Sequence, residues 1–300
     1  MITLDNITKT YNKGQVLAVK DISFSVEPGE LFGLIGPDGA GKTTLFRILT
    51  TLLLADKGSA VVNGFDVVKD YAKIRSSVGY MPGRFSLYQD LTIEENLHFF
   101  ATVFGTTIKE NYALIKDIYQ QIEPFKDRRA GRLSGGMKQK LALCCALIHK
   151  PAVLFLDEPT TGVDVVSRKE FWEMLGRLKA EGITILVSTP YMDEARRCDR
   201  IALMQKGSIL SVNDPEGIIR EFPGDLYGVK AANTHRLLRE VRDYSGTDTC
   251  FAFGDSLHVT FKEDQSTALL PYLNSKGLND ARLEKITPGI EDCFIHLLKD

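Results

Sequence analysis

GPDGAGKTT, residues 36 to 44, decides the fold. It satisfies the spacing G-x-x-x-x-G-K-[ST], follows the apolar run LFGLI (Leu31 to Ile35), and opens a helical pattern at Lys42. Strand, glycine-rich turn and helix in that order build an anion nest. The glycines let successive backbone N–H groups turn inward, and the helix start adds a favourable dipole. Gly36, Pro37, Asp38, Gly39, Ala40, Gly41, Lys42, Thr43 and Thr44 are therefore candidate contacts to nucleotide phosphates. Lys42 would reach the β- and γ-phosphates, and the Thr43 hydroxyl would ligate Mg²⁺.

Outward from this motif, short β-branched or apolar runs alternate with helical stretches: Val153 to Leu156, Ile183 to Ser188 and Arg200 to Met204. Such alternation predicts an α/β protein with a largely parallel sheet and helices on both faces. Ile2 to Lys9 and Val16 to Val26 alternate more like antiparallel strands. Residues 85–147 carry helix patterns and no convincing strand, which predicts a helical insert. The first domain is expected to span 1–222. After FPGD, residues 223–300 read as strand, helix, hairpin across Gly254-Asp255, helix and strand, closed by a helix from about Gly289. That βαββαβ order predicts a separate, small, ferredoxin-like α+β domain.

Two further segments carry chemistry. VLFLDE, Val153 to Glu158, is four apolar residues followed by two carboxylates, as expected of a buried parallel strand delivering acids at its end. Asp157 would orient Mg²⁺ through water, and Glu158 would polarise the attacking water as general base, the candidate catalytic residue. LSGGMKQ, Leu133 to Gln139, puts a candidate N-cap, Ser134, before Gly135 and Gly136. A capped helix alone explains the serine but not two glycines, which weaken a helix; close approach to a phosphate explains both.

GPDGAGKTT, LSGGMKQ and LFLDEPTTGVD, in this order, resemble the nucleotide-binding subunit of ABC transporters, with a carboxyl-terminal domain similar to that of bacterial ABC-2-type exporter ATPases. The resemblance covers residues 1 to about 222 and implies an ABC-type P-loop NTPase domain with an antiparallel β subdomain and a helical insert. It implies ATP and Mg²⁺ as ligands, ATP hydrolysis coupled to export, and a separate ABC-2-type membrane permease. It also implies two such domains facing head to tail, so that Ser134, Gly135, Gly136 and Gln139 complete the ATP site of the partner. Tyr11 would stack on adenine, Asp164 would lie in the loop that meets the opposite subunit, and the block after Tyr80 would face the permease.

Two positions depart from the family pattern. Gly83 stands where the family usually has Gln, and Pro190, in ITILVSTPYMDEA, stands where it usually has His. Proline has neither a side-chain donor nor a backbone N–H, and glycine offers no side-chain ligand, so both γ-phosphate-sensing positions are empty. Neutral drift in an active enzyme is the alternative reading, since Lys42, Asp157 and Glu158 remain. Neither Gln89 nor any of the five histidines is an evident replacement. The expectation is an impaired site on this chain and pairing with a second, non-identical ATPase chain in preference to a homodimer. A non-hydrolysing regulatory subunit and a soluble ATPase acting on ribosomes or DNA are the other readings.

Composition sets the remaining bounds. A formal net charge of -2 with 25% charged residues gives no global basic field and no expectation of nucleic-acid binding. Cys144 and Cys145 fall in LALCCALI and read as small core residues; with no C-x-x-C pair among five cysteines, neither metal nor redox chemistry is expected. No signal-peptide pattern opens the chain, and no run approaches the roughly 18 apolar residues that span a bilayer. The expected location is cytoplasmic, peripheral on the inner face of the membrane through the permease.

Overall fold

The computed structural model describes residues 1–12, 14–262 and 265–298. It divides into two compact units, Met1–Pro215 and Glu216–Asp300. The division falls ahead of the expected boundary near residue 222, because the last strand of the first unit ends at Asn213 and Pro215, which cannot donate to a ladder, opens a helix instead.

The first unit begins with β1 (Ile2–Tyr11) and β2 (Val16–Val26), then β3 (Leu31–Ile35) and α1 (Lys42–Leu49). There follow β4 (Lys57–Val62), β5 (Phe65–Asp66), α2 (Tyr71–Ser77) and β6 (Val78–Met81). The helical block holds α3 (Ile93–Val103), α4 (Tyr112–Tyr119) and α5 (Gly135–Leu147). The unit is completed by β7 (Val153–Asp157), α6 (Val165–Ala180), β8 (Thr184–Thr189), β9 (Arg200–Gln205) and β10 (Ser208–Asn213). The segment after Pro190 forms a 3-10 helix, Met192–Arg197, whose start is tied by the Tyr191 N–H to Thr189 Oγ1 and by the Thr189 hydroxyl to Glu194.

One sheet has the order β2-β1-β4-β5 and is antiparallel throughout. The other has the order β10-β9-β3-β8-β7-β6, parallel except for β10. Every residue of β3, β7 and β8 is buried, as continuous apolar runs covered on both faces must be. Phe24 stacks on Phe32 across the two sheets, and Phe46 of α1 meets Phe155 of β7 edge to face at 6.0 Å. This cluster fixes α1, and with it the phosphate loop, to the ends of β3 and β7; truncating Phe46 to alanine would cost about 3–5 kcal/mol. In the helical block, Thr92 and Glu95 form a capping box on α3, and buried Asn96 ties the preceding loop through Tyr88, Leu91 and Thr92. Cys144 and Cys145 lie buried in α5, where desolvation raises both thiols well above their usual range.

The second unit runs α7 (Pro215–Arg220), β11 (Leu226–Lys230), α8 (Thr234–Asp243), β12 (Thr247–Phe253), β13 (Ser256–Phe261), α9 (Leu269–Ser275), β14 (Arg282–Ile286) and α10 (Ile290–Leu297). Its antiparallel sheet has the order β12-β13-β11-β14, the ferredoxin-like arrangement of a βαββαβ chain. Val229, Leu257 and Val259 pack beneath Leu237, Val241, Leu269 and Leu273.

Candidate functional site

The parallel strands deliver the loop Gly36–Gly41 to the carboxyl end of the sheet, where open α/β folds bind ligands. Gly36 donates its N–H to the Thr189 carbonyl at 3.3 Å, and a Cβ on Gly36 would lie 2.1 Å from the Met204 carbonyl oxygen. Gly41, at φ 108°, caps α1, and a Cβ there would lie 2.5 Å from the Ala18 oxygen. Only glycine fits either place. No side chain caps α1, so its first N–H groups are available to an anion. Lys42 is 3% exposed, and its Nζ reaches the carbonyls of Gly36 (2.7 Å) and Pro37 (3.0 Å) and the Glu158 carboxylate (3.0 Å). The Tyr11 hydroxyl, at the end of β1, lies 3.4 Å from Thr44 Oγ1. Tyr11 is thus placed beside the loop.

The acidic end is equally connected. Asp157 ends β7 and is 2% exposed; its Oδ1 accepts from Thr43 Oγ1 at 3.2 Å and from Ser188 Oγ at 2.8 Å. Ser188 Oγ in turn accepts from the Glu158 N–H at 3.0 Å. Glu158 has φ 51°, an uncommon left-handed conformation for a carboxylate residue, held by Ser188 and aimed at Lys42. Burial, and next the charge of Asp157, push the Tyr80 hydroxyl up to about 12. A hydroxyl and a carboxylate oxygen side by side are the hard donors that suit Mg²⁺, and the cradle that a Cβ would fill suits phosphate. When bound, Mg²⁺ would neutralise phosphate charge, with Thr43 and Asp157 as the residues that hold it.

Gly83 lies against this acid: a Cβ there would sit 3.0 Å from the Asp157 carbonyl oxygen and 3.8 Å from its Cγ. Pro190 directly follows Thr189, whose carbonyl holds Gly36. Both departures therefore border the site. Gln89 does not reach it, since its carbonyl accepts from Gly131 N–H at 2.9 Å and its side chain lies over that glycine in the helical block. His149 faces the Val78 carbonyl at 3.1 Å and stacks on Phe104; His98 is exposed on α3. The other three histidines belong to the second unit.

Ser134 caps α5 by accepting from Met137 N–H, and Ser134 and Gly135 are exposed while Gly136 and Gln139 are half-buried. A Cβ on Gly136 would lie 2.8 Å from Ser167 Oγ and 3.1 Å from its Cβ, so close packing of α5 against α6 also favours a glycine there. A Cβ on Gly135 would meet only the Gly162 carbonyl oxygen, at 3.4 Å. Exposed Asp164 caps α6 through the Val166 and Ser167 N–H groups, and the bond from Ser167 lowers its pKa below the usual carboxylate value.

Ser188 was not singled out from sequence, although a serine ending the apolar run ITILV is the signal that could have found it. A second missed group is the buried carboxylate of Glu194, which accepts from Thr160, Thr189 and Arg168. Its partners are close only in the fold.

A family model described as ABC transporter matches residues 19–161. Nod factor export ATP-binding protein I of Rhizobium sp. (strain N33) is 34% identical over 300 residues, covering 99% of this chain and 96% of that protein. The probable multidrug ABC transporter ATP-binding protein YbhF of Escherichia coli K12 is 38% identical over 303 residues, covering 99% of this chain and 52% of YbhF. The chain thus spans about half the length of that relative. Among solved structures, the dimeric post-hydrolysis state of the ATP-binding cassette MJ0796 bound to ADP and Pi superposes with a TM-score of 0.65 at 25% identity, covering 71% of this chain and 98% of that one. A phosphate loop beside two strand-end carboxylates, and a relative matched along nearly its whole length, place the chain in one family: it belongs to the ATP-binding proteins of ABC transporters.

Proposed function

We propose that this chain binds ATP and Mg²⁺ and energises a separate ABC-2-type permease for export, with an ATP site of its own that hydrolyses poorly. The observation that carries the reading is the contrast around Asp157. Lys42, Thr43, Asp157, Glu158 and Ser188 form one connected group, whereas Gly83 and Pro190, bordering the same group, present no side-chain donor. Glu158 is the general base in this reading, Tyr11 stacks on adenine, and residues 36–44 cradle the phosphates. Residues 1–215 form the ATP-binding domain and the ferredoxin-like unit an accessory domain.

A homodimer would hold two impaired sites, so the partner is a second, non-identical ATPase domain that keeps the missing Gln and His. Ser134, Gly135, Gly136 and Gln139 complete that partner's site, and Asp164 lies in the loop that meets it. Exposure of Ser134, Gly135 and Asp164 supports this. For the permease, a groove of about 300 Å³ lined by Leu52, Tyr80, Leu87, Phe100 and Phe104 offers an apolar docking surface, flanked by exposed Tyr88, Phe99 and Val103. Among the described residues no helix is long and apolar enough to cross a membrane; in this reading the chain sits on the inner face of the membrane through the permease. The names of relatives, multidrug and Nod factor export proteins, support an exporter.

The test is co-purification from membranes in mild detergent, followed by ATPase assay. A permease and a second ATPase chain are the expected companions; recovery of a fully active homodimer would contradict the pairing.

A further inference from the structure

The densest buried polar cluster outside the phosphate site centres on Glu194, which is 3% exposed. Its Oε2 accepts from Thr160 Oγ1 at 3.1 Å and from Thr189 Oγ1, and its Oε1 accepts from Arg168 Nε at 3.1 Å. Each donor comes from a different segment: β8, the loop after Glu158 and α6. Thr189 ends β8, and its carbonyl holds Gly36 of the phosphate loop. Thr160 lies in the loop that leaves Glu158, and Arg168 sits in the first turn of α6, its N–H bonded to the Asp164 carbonyl at 2.9 Å. The Arg168 guanidinium also pairs with Asp193 at 3.2 Å and lies 4.1 Å over the Tyr191 ring, clamping the Pro190–Glu194 turn from its far side.

A carboxylate is a costly choice for such a place. Its desolvation is repaid only by well-aligned partners, and an apolar residue of like volume is often as stabilising. What the carboxylate provides is a fixed register between three segments. Pro190 adds to this, because a ring with φ held near -65° leaves the turn one backbone rotation fewer with which to absorb a displacement of Thr189. A shift at the phosphate loop is then passed on to Glu194.

We propose that Glu194 is a positioning residue that couples the phosphate loop to the Asp164 loop, so that ATP held by this chain orders the segment offered to the partner chain. The proposal rests on the reading that this loop meets a second ATPase. In that arrangement the Pro190 turn acts as a strut. A site that hydrolyses poorly would still signal its occupancy.

The experiment is hydrogen exchange of residues 160–168 in the purified full chain, with and without MgATP, alongside calorimetric ATP binding and thermal melting. In the unmodified chain MgATP should slow exchange in this segment by about fivefold or more. In Glu194→Gln, which keeps the shape and an acceptor, the slowing should drop below about twofold while ATP affinity changes by no more than about twofold. Arg168→Lys, which keeps the charge but removes the Nε donor, should behave likewise and carries the test if the first variant does not fold. Equal slowing in the unmodified chain and the variants, or no slowing in the unmodified chain, overturns the proposal. Failure of the pairing itself shows separately, as full ATPase activity of the chain alone.

Discussion

The two ends of the phosphate site differ in how much each is tied to the other. At the β-phosphate end, Lys42, Thr43, Asp157, Glu158 and Ser188 are joined by ion pairs and hydrogen bonds between 2.8 and 3.2 Å. At the end proposed for the γ-phosphate, Gly83 and Pro190 border the site and carry no functional groups. Phosphate and Mg²⁺ binding would depend on the first end, which also carries the proposed general base Glu158, whereas hydrolysis needs in addition groups that meet charge developing in the transition state, the role proposed for the second. The proposed function rests on this contrast: a chain with one end complete and the other empty would hold ATP and complete another chain's site.

The sharpest way to break this comparison is to damage each face in turn within the assembled complex. Ser134→Ala, which acts on the partner's site, should lower turnover by about 10²-fold, as loss of a transition-state donor does. Glu158→Gln, which acts on this chain's own site, should lower it by less than about twofold, because that site contributes little to the total. Equal losses in a steady-state ATPase assay would erase the distinction. Lys42→Ala tests the complete end directly, since removing a cation that hydrogen-bonds phosphate should weaken ATP binding by about 10- to 100-fold in calorimetry.

Ser188→Ala should cost about 1.5–3 kcal/mol in urea unfolding, because it takes a hydrogen bond from the buried Asp157 carboxylate, while the Glu158 N–H keeps the Ser188 carbonyl at 3.1 Å. A smaller loss would mean that the acidic end is less interdependent than its geometry indicates. The smallest effect concerns His149, on the groove proposed for the permease. Burial lowers its pKa against a weaker opposing bond to the Val78 carbonyl. The unfolded chain, with its histidine near pKa about 6.5, therefore takes up the proton first. The stability His149 contributes is complete above that pH and is lost as pH falls toward the lowered folded value. His149→Phe should flatten the acid side of a melting-temperature profile between about pH 5 and 7.

Much of the site was legible because spacing carried it. G-x-x-x-x-G-K-[ST] after an apolar strand can place its lysine in few ways, and four apolar residues before Asp157-Glu158 imply a buried parallel strand. The second unit was legible because strand and helix periods alternate cleanly. What depends on tertiary contact was not. Ser188 serves two acids from a neighbouring strand, and Glu194 gathers donors from three segments. The packing of Gly136 against Ser167 was likewise not visible in the spacing. Gly83 looked like a missing side chain, yet it packs 3.0 Å, measured from its would-be Cβ, against the Asp157 backbone, so any replacement must push that strand end by a few tenths of an ångström.

That close approach bears on the most direct test of the central claim, the ATPase rate of the purified chain alone against its Gly83→Gln, Pro190→His double variant, with Gly83→Ala as the steric control. The account predicts hydrolysis by the unmodified chain about 10²- to 10³-fold below that of a complete site, and a gain of at least about tenfold in the double variant. A chain that already hydrolyses ATP at full rate by itself, with no gain on restoring Gln and His, would contradict it.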